Sequence, residues 1–363
     1  MEYPLNSISP GSGGRLEIDL AAIGANYSLL SKKSANAETA AAIKANAYGL
    51  GLEPVANILA KKGCKTYFVA LPQEGVLLRK LLPDATIYVL AGLGPKSLDT
   101  YISHSLSPVL NTLEDVALWF PINNASYAIH FDTGMNRLGL SLDQLGEVAN
   151  LSPQLIMSHF ACADEPDHPL NQKQLERFLE VRKSFPQARA SLANSAAILS
   201  RDDCQFDLVR PGIALYGGAA VSGVASPMQQ VLRLEGRIVQ IRNIKQGEAI
   251  GYGATYVFDR DSRVAIVGVG YADGYHRASE IETKRFGAFA GQKLPLLGRI
   301  SMDLSAFDIT DWPKQGDWPK QGDWIELIGE NCTLGEAATA TGTIDYEILT
   351  SLGHRFSRTY ING

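Results

Sequence analysis

Between residues 38 and 210 the chain alternates short apolar runs with longer stretches in which apolar positions return every three or four residues. The runs are Ala40–Lys44, Tyr67–Ala70, Thr86–Leu90, Ser107–Leu110, Tyr127–Asp132, Leu155–Phe160, Ala190–Ala193 and Asp207–Arg210. Each has strand character, and the segments between them are helical in spacing, as in Leu170–Phe185 with Leu175, Phe178, Leu179 and Arg182. Eight strands alternating with helices predict an α/β fold, a closed parallel (β/α)8 barrel rather than an open sheet. Upstream, Arg15–Asp19 alternates like a short strand and Leu20–Lys33 reads as a helix. Residues 1–14, ending Ser-Pro-Gly-Ser-Gly-Gly, read as a flexible arm.

Beyond about residue 224 the texture changes. Val231–Ile244, Arg263–Val269, Leu294–Arg299, Ser305–Ile309 and Trp324–Ile328 are short β-rich runs punctuated by glycine, and the next long helical pattern is Thr343–Leu352. The expected organisation is therefore a barrel over 15–223 and a mostly β domain over 224–363. Asp311–Trp324 repeats a six-residue unit in tandem; its Pro and Gly content marks a duplicated surface turn.

Bulk composition narrows the partners. A length of 363 residues suits two domains, and a net charge of −5 without a basic cluster argues against nucleic acid. No apolar stretch is long enough to span a bilayer. Met1-Glu-Tyr-Pro-Leu lacks the basic and apolar regions of a signal peptide. Four scattered cysteines do not form a disulfide framework, so the expected compartment is the reducing cytoplasm.

A barrel places its chemistry where strands end and loops begin. Lys44 closes the first apolar run and precedes Ala-Asn-Ala-Tyr48-Gly. A lysine there either snorkels to the surface or, desolvated, becomes an amine nucleophile suited to a Schiff base. The other strand ends carry Asp132-Thr-Gly-Met-Asn-Arg137, His159, Asn194-Ser195 and Arg210-Pro-Gly-Ile213. Barrel phosphate sites use the last two loops, where Ser195 and the backbone N–H groups of Gly212 and Ile213 would form a cradle. A lysine nucleophile with a phosphate cradle points to pyridoxal 5'-phosphate.

Eight collinear motifs resemble the alanine racemase family. They are Ala42-Ile-Lys-Ala-Asn-Ala-Tyr-Gly49, Asp132-Thr-Gly-Met-Asn-Arg-Leu-Gly139, Ser158-His-Phe-Ala-Cys-Ala-Asp164 and Ala193-Asn-Ser-Ala196. The others are Arg210-Pro-Gly-Ile213, Gly251-Tyr-Gly-Ala-Thr-Tyr256, Gly270-Tyr-Ala-Asp-Gly274 and Gly298-Arg-Ile-Ser-Met-Asp303. The resemblance implies a pyridoxal phosphate enzyme with a barrel domain, a β domain and a homodimer that shares its active sites. It implies Lys44 and Tyr252 as the two catalytic bases, Tyr252 coming from the partner subunit. By the same resemblance Tyr48, Asn194, Ser195, Gly212 and Ile213 help hold the cofactor, Arg210 faces its pyridine nitrogen and His159 adjoins its ring. Arg137 and the backbone of Met302 would bind the substrate carboxylate. Asp164, Tyr271, Arg277 and Arg299 would line a narrow corridor admitting alanine. Supply of D-alanine for peptidoglycan also follows from the resemblance alone.

Two positions depart from the family pattern. His130 stands where some members have a carbamylated lysine that orients the arginine, and His354 stands where many have a phosphate-binding tyrosine. The cluster His159, Cys162, Asp164 and His168 lacks the spacing of a helix-borne metal pair or a zinc ribbon, so no metal is expected. Gly268-Val-Gly-Tyr-Ala-Asp lacks the third glycine of a dinucleotide fingerprint. A non-catalytic pyridoxal phosphate carrier would need neither the β domain nor Tyr252. A basic amino acid decarboxylase would carry other C-terminal motifs. A broad-specificity amino acid racemase remains the nearest alternative.

Overall fold

The computed structural model describes residues 13–34, 36–94, 96–121, 126–277, 285–313 and 317–363. Most of the expected N-terminal arm, and residues 314–316 of the duplicated turn, lie outside the described residues. The chain forms two compact units, one of residues 21–229 and one that joins residues 1–20 to 230–363. Among the described residues no helix is long and apolar enough to cross a membrane.

The unit of residues 21–229 is the barrel. Its first strand is interrupted, running through Glu38–Thr39 and Ala41–Ala42. The next six are Thr66–Val69, Thr86–Val89, Ser107–Leu110, Ala128–His130, Leu155–Met157 and Arg189–Ser191, each parallel to its predecessor. Leu208–Val209, the eighth, pairs in parallel with Glu38–Thr39. On its other side the Arg210 N–H donates to the Ala193 carbonyl at 2.9 Å and Asp207 N–H to Ala190 at 3.1 Å. The sheet therefore curls until its last strand meets its first. Ala40, Phe68, Tyr88, Val109, Ala128, Leu155, Met157 and Leu208 fill the interior, so the middle of the barrel is packed side chains rather than a pore.

Helices follow the strands. Pro169–Ser184 shows why its residues form one: Pro169 occupies the first turn, where a missing N–H is harmless, and the His168 ring accepts from the Leu170 N–H at 3.2 Å. Leu175, Phe178 and Val181 bury one face, and Arg182 and Lys183 meet the negative end of the helix.

In the other unit the strand Leu232–Ile244 is central. It pairs with Gly14–Asp19, Trp324–Ile328 and Ser262–Val267, all antiparallel, and a register shift at Ile238/Gln240 lets one long strand serve several partners. Gly14–Asp19 also pairs in parallel with Ser357–Ile361. The strand expected at Arg15–Asp19 therefore exists but belongs to this sheet and not to the barrel, because its ladder partners lie more than 200 residues away. Helix Leu334–Thr341 appears where none was expected, capped by the Thr333 hydroxyl and Glu336 and ended by Gly342. The tryptophans of the duplicated turn are used in packing. Trp312 meets Phe289 edge-on at 5.2 Å, Trp318 lies under Arg263 at 4.7 Å, and Trp324 lies under Arg15 at 4.5 Å.

Candidate active site

Lys44 stands at the carboxyl end of the first barrel strand and is half-buried. Burial lowers its pKa, Arg137 lowers it further and Glu74 opposes them, so the net shift is downward. The backbone beyond it is unusual. Ala45, Asn46, Ala47 and Tyr48 all have φ between 52° and 56°, a full left-handed turn with no glycine in it. Each such residue costs about 1–2 kcal/mol, so the turn persists only because its surroundings hold it. Asn46 Oδ1 accepts from the Leu52 N–H at 2.8 Å, Glu74 Oε1 accepts from the Ala45 N–H at 2.6 Å, and the Tyr48 ring lies 4.6 Å from that of Tyr216. Tyr216 in turn donates its hydroxyl to the Ala42 carbonyl at 2.8 Å.

The loop after the fifth strand is shaped by Asp132, whose Oδ1 accepts from the N–H groups of Gly134 and Met135, both at 2.8 Å. Burial would raise this carboxylate's pKa, but the backbone donors outweigh it and the net shift is downward. Arg177 donates to the Thr133 carbonyl at 2.9 Å, and the Thr133 and Ser158 hydroxyls are 2.8 Å apart. Arg137 leaves this loop exposed, and its field lowers the pKa of Lys44, His130 and His159 alike.

Arg210 ends the eighth strand almost fully buried. It donates to the Ser191 hydroxyl, to the Ser158 carbonyl at 2.6 Å and to His159 Nδ1 at 3.4 Å. Among the described residues no carboxylate pairs with it, and burial alone pushes its pKa down to about 9, still protonated at neutral pH. Such a cation favours an electron-rich partner over another cation. Its field, after burial, pushes His159 well below the ordinary histidine range, so that imidazole is neutral. Gln174 fixes the backbone there, donating to the His159 carbonyl at 2.8 Å and accepting from the Ala161 N–H at 2.9 Å.

In the last two loops the Gly212 N–H expected to face a phosphate is instead engaged by Ser195. Its Oγ accepts from the Gly212 N–H at 2.8 Å and the Ala214 N–H at 3.3 Å, and the hydroxyl proton is left to donate elsewhere. Gly212 suits the place beside it, because a Cβ would sit 2.3 Å from the Tyr48 hydroxyl oxygen and force it to shift. Ile213 opens the short 3₁₀ turn that follows. The Asn194 side chain is used structurally, its Oδ1 capping the next helix through the Ala197 N–H at 3.1 Å.

The residues of the Cys162–His168 loop have other uses. His168 caps a helix, and the Cys162 and Glu165 carbonyls both accept from Asn171 Nδ2 at 2.9 Å. Asp164 is exposed, and its backbone carbonyl accepts from the Ser222 N–H at 2.8 Å.

The remaining candidates lie on the β unit. Tyr252 opens a tight 3₁₀ turn between Gly251 and Gly253, whose φ values are 77° and 74°, and is 69% exposed. Arg299 approaches the same turn: a Cβ at Gly253 would lie 3.0 Å from its Nη1. Tyr271 and Met302 are exposed at 43% and 54%. Their loops are stitched together, with Tyr271 N–H donating to the Ser301 carbonyl at 3.1 Å and Ala272 N–H to the Met302 carbonyl at 2.9 Å. Arg355 reinforces the pair by bridging Asp273 at 3.1 Å and Asp303 at 2.9 Å. Arg277 and His354 are exposed on the same unit.

The structure thus gathers Lys44, Tyr48, Arg137, His159, Ser195, Arg210 and Gly212 at one end of the barrel, and keeps Tyr252, Tyr271, Arg299 and Met302 on the β unit. Sequence reasoning missed Glu74, Gln174, Tyr216 and Arg355. Each is an ordinary residue type on a helix, turn or loop, with no motif of its own.

The profile described as alanine racemase, N-terminal domain, matches residues 18–220, and that described as alanine racemase, C-terminal domain, matches residues 231–360. The chain is 44% identical to an alanine racemase of Rhizobium meliloti, over 97% of this chain and 98% of that protein. It is 42% identical to a biosynthetic alanine racemase of Agrobacterium fabrum, over 96% and 93% of the two chains. A crystal structure of alanine racemase from Bartonella henselae with covalently bound pyridoxal phosphate superposes with a TM-score of 0.90 at 37% identity, covering 96% of this chain and 99% of that one.

Proposed function

The chain belongs to the alanine racemase family, and from that premise we propose that it interconverts L-alanine and D-alanine with pyridoxal phosphate carried on Lys44. The observation that carries this reading is the half-buried amine at the barrel mouth, whose pKa is drawn down by burial and by Arg137. An amine poised in this way attacks an aldehyde. The neighbouring residues fit the cofactor. Gly212 leaves the space that a Cβ would close against Tyr48, and the Ser195 hydroxyl keeps a proton for a phosphate oxygen. Arg210, protonated and without a carboxylate partner among the described residues, suits a ring nitrogen that accepts rather than donates.

Pyridoxal phosphate, when bound, supplies the electron sink that makes the α-proton of alanine removable. Racemisation also needs a base on each face of the substrate carbon. Lys44 serves one face, and Tyr252 of the partner subunit serves the other. Arg137 offers a planar guanidinium to the alanine carboxylate, which suits a charge-assisted hydrogen bond. The backbone of Met302 of the partner subunit meets the same carboxylate. Asp164, Tyr271, Arg277 and Arg299 then form the corridor that excludes larger amino acids, and the barrel unit holds the cofactor while the β unit supplies the second base. In the cell such an enzyme would act in the cytoplasm as a homodimer and supply D-alanine for peptidoglycan.

The test is incubation of L-alanine with the enzyme and pyridoxal phosphate in heavy water, read by chiral separation and mass. D-alanine carrying deuterium at Cα is the expected product. Cofactor absorbance without any D-alanine would reject alanine as substrate and favour another amino acid or a carrier role.

A further inference from the structure

Glu74 does two things at once. Its Oε2 accepts from the N–H groups of Ala70 at 2.8 Å and Leu71 at 3.1 Å, which caps its own helix, Pro72–Leu81. Its Oε1 accepts from the Ala45 N–H at 2.6 Å, 29 positions upstream in the chain. The cap does not need that third donor. The amide it holds belongs to the residue after Lys44, the first of the left-handed turn Ala45–Tyr48. L-residues leave that conformation when nothing holds them in it. The direction of the Lys44 side chain is set by the strand on one side and by this turn on the other.

We propose that Glu74 is the positioning residue for Lys44: by gripping the Ala45 amide it keeps the left-handed turn closed and the lysine amine fixed at the mouth of the barrel. The inference rests on the reading of Lys44 as the cofactor lysine. The charged and titratable groups that interact electrostatically with the amine are Arg137 from the loop after the fifth strand, His159 from the loop after the sixth, and Glu74 itself. Burial and Arg137 favour the neutral amine, and Glu74 favours the charged one. Holding the turn and biasing the proton are therefore separable effects of one carboxylate. Glu74→Gln removes the charge and leaves one oxygen to serve three donors. Glu74→Asp keeps the charge and shortens the reach.

The experiment uses the full chain freed of pyridoxal phosphate. Lys44 is titrated by its pH-dependent acetylation with acetic anhydride, and amide exchange is followed in peptides covering 44–51 and 72–81, both by mass spectrometry. The expected result is faster exchange in the 44–51 peptide for both variants, by roughly tenfold or more, together with a downward shift of the Lys44 midpoint in Glu74→Gln that Glu74→Asp does not share. Faster exchange confined to 72–81, with the Lys44 midpoint unchanged in both variants, would overturn the proposal and leave Glu74 a helix cap. A wild-type Lys44 that titrates like an ordinary surface lysine would instead reject the reading of Lys44 itself, whatever the variants do.

Discussion

His130 Nδ1 lies 2.9 Å from Asn111 Oδ1, and this contact fixes the tautomer of the imidazole. Asn111 cannot present its other end, because its Nδ2 donates to the carbonyls of Leu90 at 3.1 Å and Val109 at 3.0 Å. Its oxygen therefore faces the ring, Nδ1 carries the proton and Nε2 keeps its lone pair. Position 130 thus holds a neutral hydrogen-bond acceptor. Burial first, and then Arg210, pushes its pKa down to about 4.

Neutral buried histidines make stability depend on pH. His130 titrates at about 4 when folded against 6.5 as its ordinary value, and His159 is lowered as well. The unfolded chain therefore binds more protons through this window. Their contribution is complete above pH 6.5 and is lost as the pH falls toward 4. For His130 alone about 3 kcal/mol is at stake across the window. Urea unfolding at pH 7.5, 6.0 and 5.0 should give steadily falling stability, and His130→Asn should flatten the slope. A stability that is level between pH 7.5 and 5.0 would mean both rings are solvated.

Gly212 and Tyr48 cannot both carry ordinary side chains. A methyl at Gly212 would lie 2.3 Å from Tyr48 Oη and 3.0 Å from Cζ. Gly212→Ala should lower stability by about 1–3 kcal/mol, as overpacking does. It should also weaken pyridoxal phosphate binding by roughly tenfold or more, since it displaces a proposed phosphate ligand. Removing the hydroxyl with Tyr48→Phe in the Gly212→Ala background should recover part of the stability but not the affinity. Cofactor titration and thermal unfolding of the four proteins in this cycle check both parts.

Much of this was legible in the chain. The barrel strands announce themselves because buried strands must be apolar and must end on polar residues, so Lys44, His159 and Arg210 fall at strand ends by pattern alone. Trp324–Ile328 is a strand to the residue for the same reason. Non-local pairing was not legible. Arg15–Asp19 falls inside the 15–223 stretch expected to form the barrel, yet its partners are Leu232–Gly236 and Ser357–Ile361. Beyond Leu334 and Glu336, helix Leu334–Thr341 is built of Ala, Thr and Gly, whose small side chains give little apolar period to read. The left-handed turn was hidden too. In Ala-Asn-Ala-Tyr only Asn46 hints at positive φ, and one of the groups that hold the turn is Glu74 from another helix.

That turn makes a prediction opposite in sign to the usual rule. Alanine to glycine in an ordinary exposed helix destabilises by about 1 kcal/mol. Ala45 is exposed with φ 53°, where glycine is at ease and alanine is not. Ala45→Gly should therefore raise stability by about 0.5–1 kcal/mol, the relief of strain exceeding the added freedom of the unfolded chain. A melting temperature that falls instead would place Ala45 outside the left-handed region.

Tyr252 is the residue on which the two-base reading turns. It is 69% exposed on the β unit, held in a turn whose flanking glycines have positive φ, while Lys44 is half-buried on the barrel. If Tyr252 of the partner subunit completes the site, Tyr252→Phe should slow proton removal from one enantiomer far more than from the other. Lys44→Ala should abolish both directions and the visible absorbance of the lysine-bound cofactor. A mixed dimer of the two inactive variants then contains one site with both lesions and one with neither. Purified heterodimers should regain up to half of the wild-type activity. Wholly inactive heterodimers, with each parent variant correctly folded, would mean that Lys44 and Tyr252 of the same chain work together and that the dimer does not share its sites.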